Sequence, residues 1–399
     1  MSAAHPLSVV NAAIFDGVSA ELAEGVIHIQ DGVIVAVDDS RPAGQVIDAR
    51  GGTVIPGLID AHFHAYGTEL DLLVLESSPL SYLSLAGARR LGAALGRGFT
   101  TVRDVAGGDP GLARAVTEGL IAAPRYLYTG AALSQTGGHG DPRPGDLDVC
   151  AGGAHLAEIV DGVDALRRAV RDRFRRGAHA IKIMASGGVV SLTDPIRIPQ
   201  YSAAEIQAVT DEATRRGSYV AAHAYSPEAI THAVTNGVRT IEHGNLLDAP
   251  TADLMAEHGA FLVPTLAAYD AMERRGEQVG LSPIGQAKNR EVLAAGQRAI
   301  ELARAAGVPI GFGTDLMGTL EDEQLTGLRL QVEVEGVFET LRSATSVNAG
   351  MIGRPDLGRI AVGARADLVI LPGDPFEEPS ILWADPRHRT VVKDGSVVR

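Results

Sequence analysis

Eight short apolar runs recur through the middle of this 399-residue chain, and no other feature constrains its fold as much. They are Leu58–His62, Thr100–Arg103, Arg125–Thr129, Ala180–Met184, Tyr219–Ala222, Thr240–Glu242, Phe261–Pro264 and Pro309–Gly313. Between them lie stretches with helical periodicity, such as Leu156–Arg176, Ala203–Arg216, Pro227–Asn236 and Glu291–Ala306. Strands alternating with helices predict βαβ units and a parallel sheet, hence an α/β protein. Eight such units over roughly 250 residues match the size of a closed (β/α)8 TIM barrel. An open doubly wound sheet is the competing architecture.

Both chain ends read differently. Val9–Phe15, Val26–Gln30 and Val33–Val37 are strand-like, with Asp31-Gly32 as a hairpin turn. Ala366–Leu371 and Thr390–Val392 are strand-like too, and Asp394-Gly395 gives a second hairpin signal. The ends are expected to pair as a small β-sandwich domain from residues 1–57 and 356–399, around a barrel of residues 58–355. The glycine- and proline-rich stretch Gly137–Gly145 is expected to be a loop.

Composition narrows the function. The formal net charge is -14, which repels nucleic acid and anionic lipid and so excludes both as expected partners. A single cysteine, Cys150, leaves no intrachain disulfide and no Cys-based zinc site, and reads as a small buried or loop residue. No signal peptide and no membrane-length apolar run is read, so a cytoplasmic location is the default expectation. Of 35 basic residues only Lys182, Lys288 and Lys393 are lysines, so a lysine inside an apolar strand stands out.

The polar residues at the strand ends carry the chemistry. His62 and His64 are two apart, which in a strand puts both on one face. His223, His243 and Asp315 close the fifth, sixth and eighth runs. Each alone reads as an ordinary strand end meeting solvent. In a barrel, however, all strand C-termini open on one mouth, where active sites form. Four histidines and an aspartate there make a divalent-metal constellation. Lys182 lies in Ala180–Met184 among apolar neighbours. A neutral lysine there could add carbon dioxide and become an anionic carbamate able to bridge two metals. Spacing alone favours the plainer reading, a buried lysine paired across the barrel, for instance to Asp104.

Taken together, Asp60-Ala61-His62-Phe63-His64, the fourth-strand lysine, His223, His243 and Gly313-Thr314-Asp315 resemble the binuclear metal signature of the amidohydrolase superfamily. Val54–Asp60 and Gly363–Val369 match its chain ends. Ser186-Gly187-Gly188-Val189, Thr193-Asp194-Pro195, Ala222–Tyr225 and Ile241–Asn245 resemble the Xaa-Pro dipeptidase and imidazolonepropionase-like branch. The resemblance covers nearly the whole chain. It implies that His62, His64 and Asp315 hold one divalent ion, that His223 and His243 hold a second, and that N6-carboxylated Lys182 bridges them. Zinc is the first expectation. The implied reaction is attack on an amide carbonyl by a metal-bridging hydroxide, with Asp315 as base and then acid. Within the branch, His139 and Tyr225 are placed to contact substrate, and Arg197 is a weaker candidate for pairing with a carboxylate.

The expected substrate is a small molecule, a dipeptide or N-acyl amino acid, with Xaa-Pro peptides first and a mycotoxin amide such as ochratoxin open. Ring opening of a cyclic amide, as by imidazolonepropionase, and phosphotriester or carbamate hydrolysis are the alternatives on the same site. A non-catalytic interaction protein is disfavoured, because all six metal positions are filled. Relatives also imply a homo-oligomer, with octamers among them.

Overall fold

The computed structural model describes residues 6–143, 154–192 and 194–398. Cys150, Thr193 and the last two residues of the Gly137–Gly145 stretch lie outside them.

The middle of the chain forms parallel ladders. Leu58–Phe63, Phe99–Asp104 and Arg125–Tyr128 make one. Ala157–Ile159, Ala132–Ser134, Ile181–Met184, Val220–Ala224, Thr240–His243 and Phe261–Val263 make another. The expectation of one closed eight-stranded ring is therefore met only in part. The third strand breaks at Gly130, where φ is 72°. The eighth segment joins only through an isolated bridge, Leu262 to Ile310.

Asn348 explains the second break. Its Nδ2 donates to Ile59 O and Phe312 O at 2.8 Å each, and its Oδ1 accepts from Phe312 N at 3.2 Å. A side-chain amide thus takes the place of ladder bonds. Gly311 makes room for it, since a Cβ there would lie 2.4 Å from Asn348 Oδ1. Backbone bonds still cross both gaps: His179 N to Tyr128 O at 2.7 Å across one, and Ala61 N to Phe312 O at 2.9 Å and Asp315 N to His62 O at 2.7 Å across the other.

Strands from both ends share one sheet. Thr53–Pro56 lies in its middle, parallel to Leu7–Ile14 on one side and antiparallel to Leu368–Leu371 on the other. The eight strands belong to one sheet, in which Gln45–Asp48 pairs with Leu7–Ile14 beside the main path and Val33 bridges back to Arg365. The central strand pairs on both edges, so the two ends extend a common ladder. The two hairpin turns are present. Asp31 and Gly32 have φ of 52° and 76°, and Asp394 and Gly395 have 48° and 73°, as two-residue turns of this hand require.

One helix begins later than the sequence suggests. Ala157–Ile159 is a strand, and the helix spans only Val163–Arg175. The buried Glu76 carboxylate holds the strand's entry by accepting from the backbone N–H of His155, Leu156 and Ala157 at 2.7, 2.8 and 3.0 Å. Another helix begins earlier, spanning Pro283–Ala306 behind a Ser282 cap with proline in its first turn. The main core packs strand residues such as Ile181, Ile183, Val220 and Ile241 under helix residues such as Ile206 and Ile300. Burying each contributes roughly 1.5–3 kcal/mol. Among the described residues no helix is long and apolar enough to cross a membrane.

Candidate active site

The strand ends meet in one cavity. Strand alternation turns His62 and His64 to the same side, with ring centroids 5.1 Å apart. Lys182, His223, His243 and Asp315 join them, and His139 and Tyr225 line the same space. Arg197 does not. It is exposed and pairs with Glu291 at 2.5 Å.

Asp315 is the focus of one wall. Its Oδ1 lies 2.9 Å from His64 Nε2 and 3.3 Å from His62 Nε2, and its Oδ2 lies 3.8 Å from His243 Nδ1. Donor atoms of His62, His243 and Asp315 all fall within 4.8 Å of one another. Behind them stands a buried charge network. His62 Nδ1 meets Glu242 Oε2 at 2.8 Å, while Glu242 Oε1 accepts from Arg103 Nη2 and Thr240 Oγ1, both at 2.7 Å. Burial pushes the Glu242 carboxyl up, but Arg103 and His62 outweigh it and hold the group well below the carboxylate range. The same contest at Asp315 is decided by His62 and His64, again downward. Burial pushes the His223 and His243 imidazoles well below their ordinary value, so both are neutral donors.

Asp60 ties the first strand to the eighth segment. It accepts from His62 N and Thr314 N at 3.1 Å, from Thr314 Oγ1 at 2.6 Å and from Gln324 Nε2 at 2.9 Å. Left-handed backbone gathers at the same place: His243 at φ 76°, Asp315 at 55° and Thr265 at 49°. Such residues cost about 1–3 kcal/mol each and cluster where geometry is held for function.

The opposite wall is softer. The His223 ring stacks on His139 at 4.2 Å, and its Nε2 lies 3.0 Å from Gly187 O. His139 Nδ1 lies 2.8 Å from Ser191 Oγ. Tyr225 stacks on His243 at 5.2 Å, and its hydroxyl meets that of Tyr269 at 2.8 Å. The Tyr269 hydroxyl and Thr265 Oγ1 lie 2.7 and 2.8 Å from His243 Nδ1. Leu70, Leu72, Leu156, Val189, Met272 and Met317 supply an apolar lining.

Lys182 is buried at the floor of this cavity and makes no hydrogen bond or ion pair among the described residues. The suggested partner, Asp104, is taken by the Tyr126 hydroxyl at 2.7 Å and Ala65 N at 3.0 Å. Burial brings the Lys182 ammonium down to about 8, against the pull of Glu242 and Asp315.

Sequence reading misses Glu242, Arg103, Thr265 and Tyr269. Glu242 and Asp60 stand inside the quoted motifs, so their place beside ligands was visible. Thr265 and Tyr269 are four apart on a helix start, a spacing that shares a face, but nothing marks that face as the one toward His243.

The amidohydrolase family model matches residues 53–398, a span that contains every residue of this site. A solved prolidase in complex with N-methylphosphonate-L-proline is 45% identical, with a TM-score of 0.95 and 99% of each chain covered. A solved Xaa-Pro dipeptidase with methionine in its active site is 29% identical, with a TM-score of 0.87, covering 99% of this chain and 100% of that one. The ochratoxinase of Aspergillus niger is 33% identical over 369 residues, 86% of this chain and 74% of the relative. With that match over most of its length and these relatives beside it, the chain belongs to the amidohydrolase family, among its prolidase-like members, and is a hydrolase acting on amide bonds.

Proposed function

We propose that this chain is a metal-dependent amide hydrolase that frees a C-terminal amino acid from a dipeptide or an N-acyl amino acid. The observation that carries this reading is the single cavity where six ligand-type side chains meet an apolar lining. Prolidase, Xaa-Pro dipeptidase and ochratoxinase relatives point to the same kind of bond. We also take the two ladders as one (β/α)8 barrel, supported by the backbone bonds across their gaps.

The donors fit a divalent ion. His62 Nε2 and His64 Nε2 stand 3.3 and 2.9 Å from Asp315 Oδ1. Two ligands each about 2.1 Å from a tetrahedral ion are about 3.4 Å apart. His62 Nδ1 faces Glu242 and His64 Nδ1 faces Ala106 O, which leaves the Nε2 lone pairs for the ion. In this reading His62, His64 and Asp315 would hold one ion, His223 and His243 would hold another, and Lys182, once N6-carboxylated, would supply a further anionic ligand. Burial of the unpaired Lys182 amine brings its ammonium down to about 8 and so raises the share of the neutral form that carbon dioxide requires. Zinc is the proposed metal. When bound, such ions supply Lewis-acid polarisation of the carbonyl and a lowered pKa for water.

The remaining chemistry falls to side chains. Asp315 is kept ionised by His62 and His64, so it accepts a proton from the attacking water and returns it to the leaving nitrogen. His139 and Tyr225 hold the substrate's carbonyl or carboxylate. The apolar lining takes the acyl side chain and excludes bulk water.

The test is a panel of Xaa-Pro dipeptides, N-acyl aromatic amino acids, a cyclic amide and an aryl phosphotriester, assayed with zinc-loaded enzyme. Release of a free amino acid as the dominant turnover supports the reading. Dominant ring opening or phosphotriester cleavage contradicts it.

A further inference from the structure

Lys288 is the lysine that neither the metal site nor the terminal sheet accounts for. It lies in the second turn of the helix Pro283–Ala306. Its Nζ meets three backbone carbonyl oxygens: Gly188 at 2.9 Å, Ser191 at 2.7 Å and Asp194 at 2.8 Å. The Asp194 carboxylate lies 3.8 Å away. An ammonium carries three N–H donors, so these carbonyls use all of them. A guanidinium is planar and holds its donors in a fixed fork, so arginine cannot reproduce this arrangement. That gives a physical reason for a lysine here in a chain that elsewhere uses arginine.

The three carbonyls belong to the stretch that forms the softer wall. Gly187 O meets His223 Nε2, and Ser191 Oγ meets His139 Nδ1. Val189 and Val190 line the cavity. A Cβ on Gly188 would lie 2.1 Å from His139, so that ring packs directly on the backbone. Asp194 Oδ2 accepts from Gln200 Nε2 at 3.3 Å, and Gln200 Oε1 accepts from His139 N at 3.0 Å. Ser191 directly, and Asp194 through Gln200, thus tie His139 to backbone that Lys288 holds. The helix comes close enough to do so at Gly285, where a Cβ would lie 3.2 Å from Val189 O. Without the ammonium, three carbonyl dipoles would converge on an empty point and repel one another.

We propose that Lys288 is a positioning residue: it clamps residues 187–192 and Asp194 to the helix and thereby sets where His139 and the Val189–Val190 wall meet the substrate. The proposal rests on reading this cavity as the amide-hydrolase site. It assigns Lys288 to substrate fit: of the proposed metal ligands only His223, through Gly187 O, touches the clamped stretch, while His62, His64 and Asp315 stand on the other wall.

The test compares wild type, Lys288→Met, Lys288→Arg and Lys288→Ala, all zinc-loaded. Four quantities are read: KM and kcat on an Xaa-Pro dipeptide, metal per chain, and amide hydrogen exchange across residues 186–192. The expected result is a KM about 10-fold higher or more in both the Met and Arg variants, a smaller change in kcat, unchanged metal content and faster exchange in that stretch. Propylammonium, which replaces the atoms missing in Lys288→Ala, should lower its KM again. Wild-type KM and exchange in Lys288→Arg would overturn the proposal, as would a loss confined to kcat or metal. If Lys288→Met fails to fold, Lys288→Arg carries the test, since it keeps the charge and length. If wild type turns over no amide, the functional reading fails, while exchange across 186–192 still decides the role of Lys288.

Discussion

Behind His62 the site is closed by charge. Arg103, Glu242 and Asp60 are fully buried, and each of their polar groups meets a partner inside the strands. Across the cavity, His139 and His223 rest on backbone carbonyls and a serine, in a stretch tied down by one lysine. The first wall cannot move without exposing or orphaning a charge. The second can shift by trading hydrogen bonds with water. In the proposed site the ligands of one ion, His62, His64 and Asp315, stand on the first wall, while the second wall carries His139 and one ligand of the other ion, His223. Damage to the first wall should appear in metal binding and kcat, and damage around His139 in KM.

The sharpest break is expected at the focus of the first wall. Asp315→Asn should lower kcat by about 10²–10⁴-fold, the usual worth of a positioned acid–base group. Asparagine tolerates the left-handed backbone there, so thermal unfolding should change little. A variant that kept its kcat would remove Asp315 from the reaction.

Glu242→Gln comes next. It leaves the Arg103 guanidinium buried without its carboxylate, which costs roughly 3–5 kcal/mol of stability. It also releases His62 Nδ1, so metal affinity should fall about 10–100-fold. Denaturant titration and chelator competition measure the two losses. An unchanged metal affinity would mean the network serves folding alone.

A second buried glutamate isolates the role of the cation. Among the described residues Glu335 has no ion pair and only the Gln331 amide as a bonded partner, and burial raises its carboxyl to about 7. The folded state therefore keeps a proton that the unfolded chain releases above its ordinary value of 4.5. Stability should fall as pH rises through that window, with the full cost present above about 7. Glu335→Gln should gain about 1–3 kcal/mol at pH 8 and little at pH 4, read by unfolding at both. An equal effect at both pH values would contradict the cause.

The smaller effects belong to the softer wall and the surface. Tyr225→Phe loses the hydroxyl contact to Tyr269 and should raise KM about 2- to 10-fold with metal content unchanged. Arg197→Ala removes an exposed pair with Glu291 and should leave KM alone and stability within about 0.5 kcal/mol.

The same contrast decides what was legible in the sequence. His62 and His64 could be read because strand period two and parallel alignment are local rules. Asp315 and His243 could be read because barrel strands end on one mouth. The clamp at Lys288 could not, because its partners are carbonyls about a hundred residues away, which carry no side-chain signal. Arg197 was placed near substrate by its loop position, and only the structure shows Glu291 within reach. Leu156–Arg176 looked like one helix because Leu156 and Ile159 keep helical spacing. The ladder that makes Ala157–Ile159 a strand is with Ala132–Ser134, and its entry is held by distant Glu76. The break at the eighth strand depends likewise on Asn348, whose amide nothing in the sequence assigns to that seam.

Metal dependence of amide cleavage tests the account most directly. Enzyme stripped by a chelator should lose turnover of an Xaa-Pro dipeptide and regain it as zinc is added back, in step with two ions bound per chain. Full turnover by stripped enzyme would contradict the account.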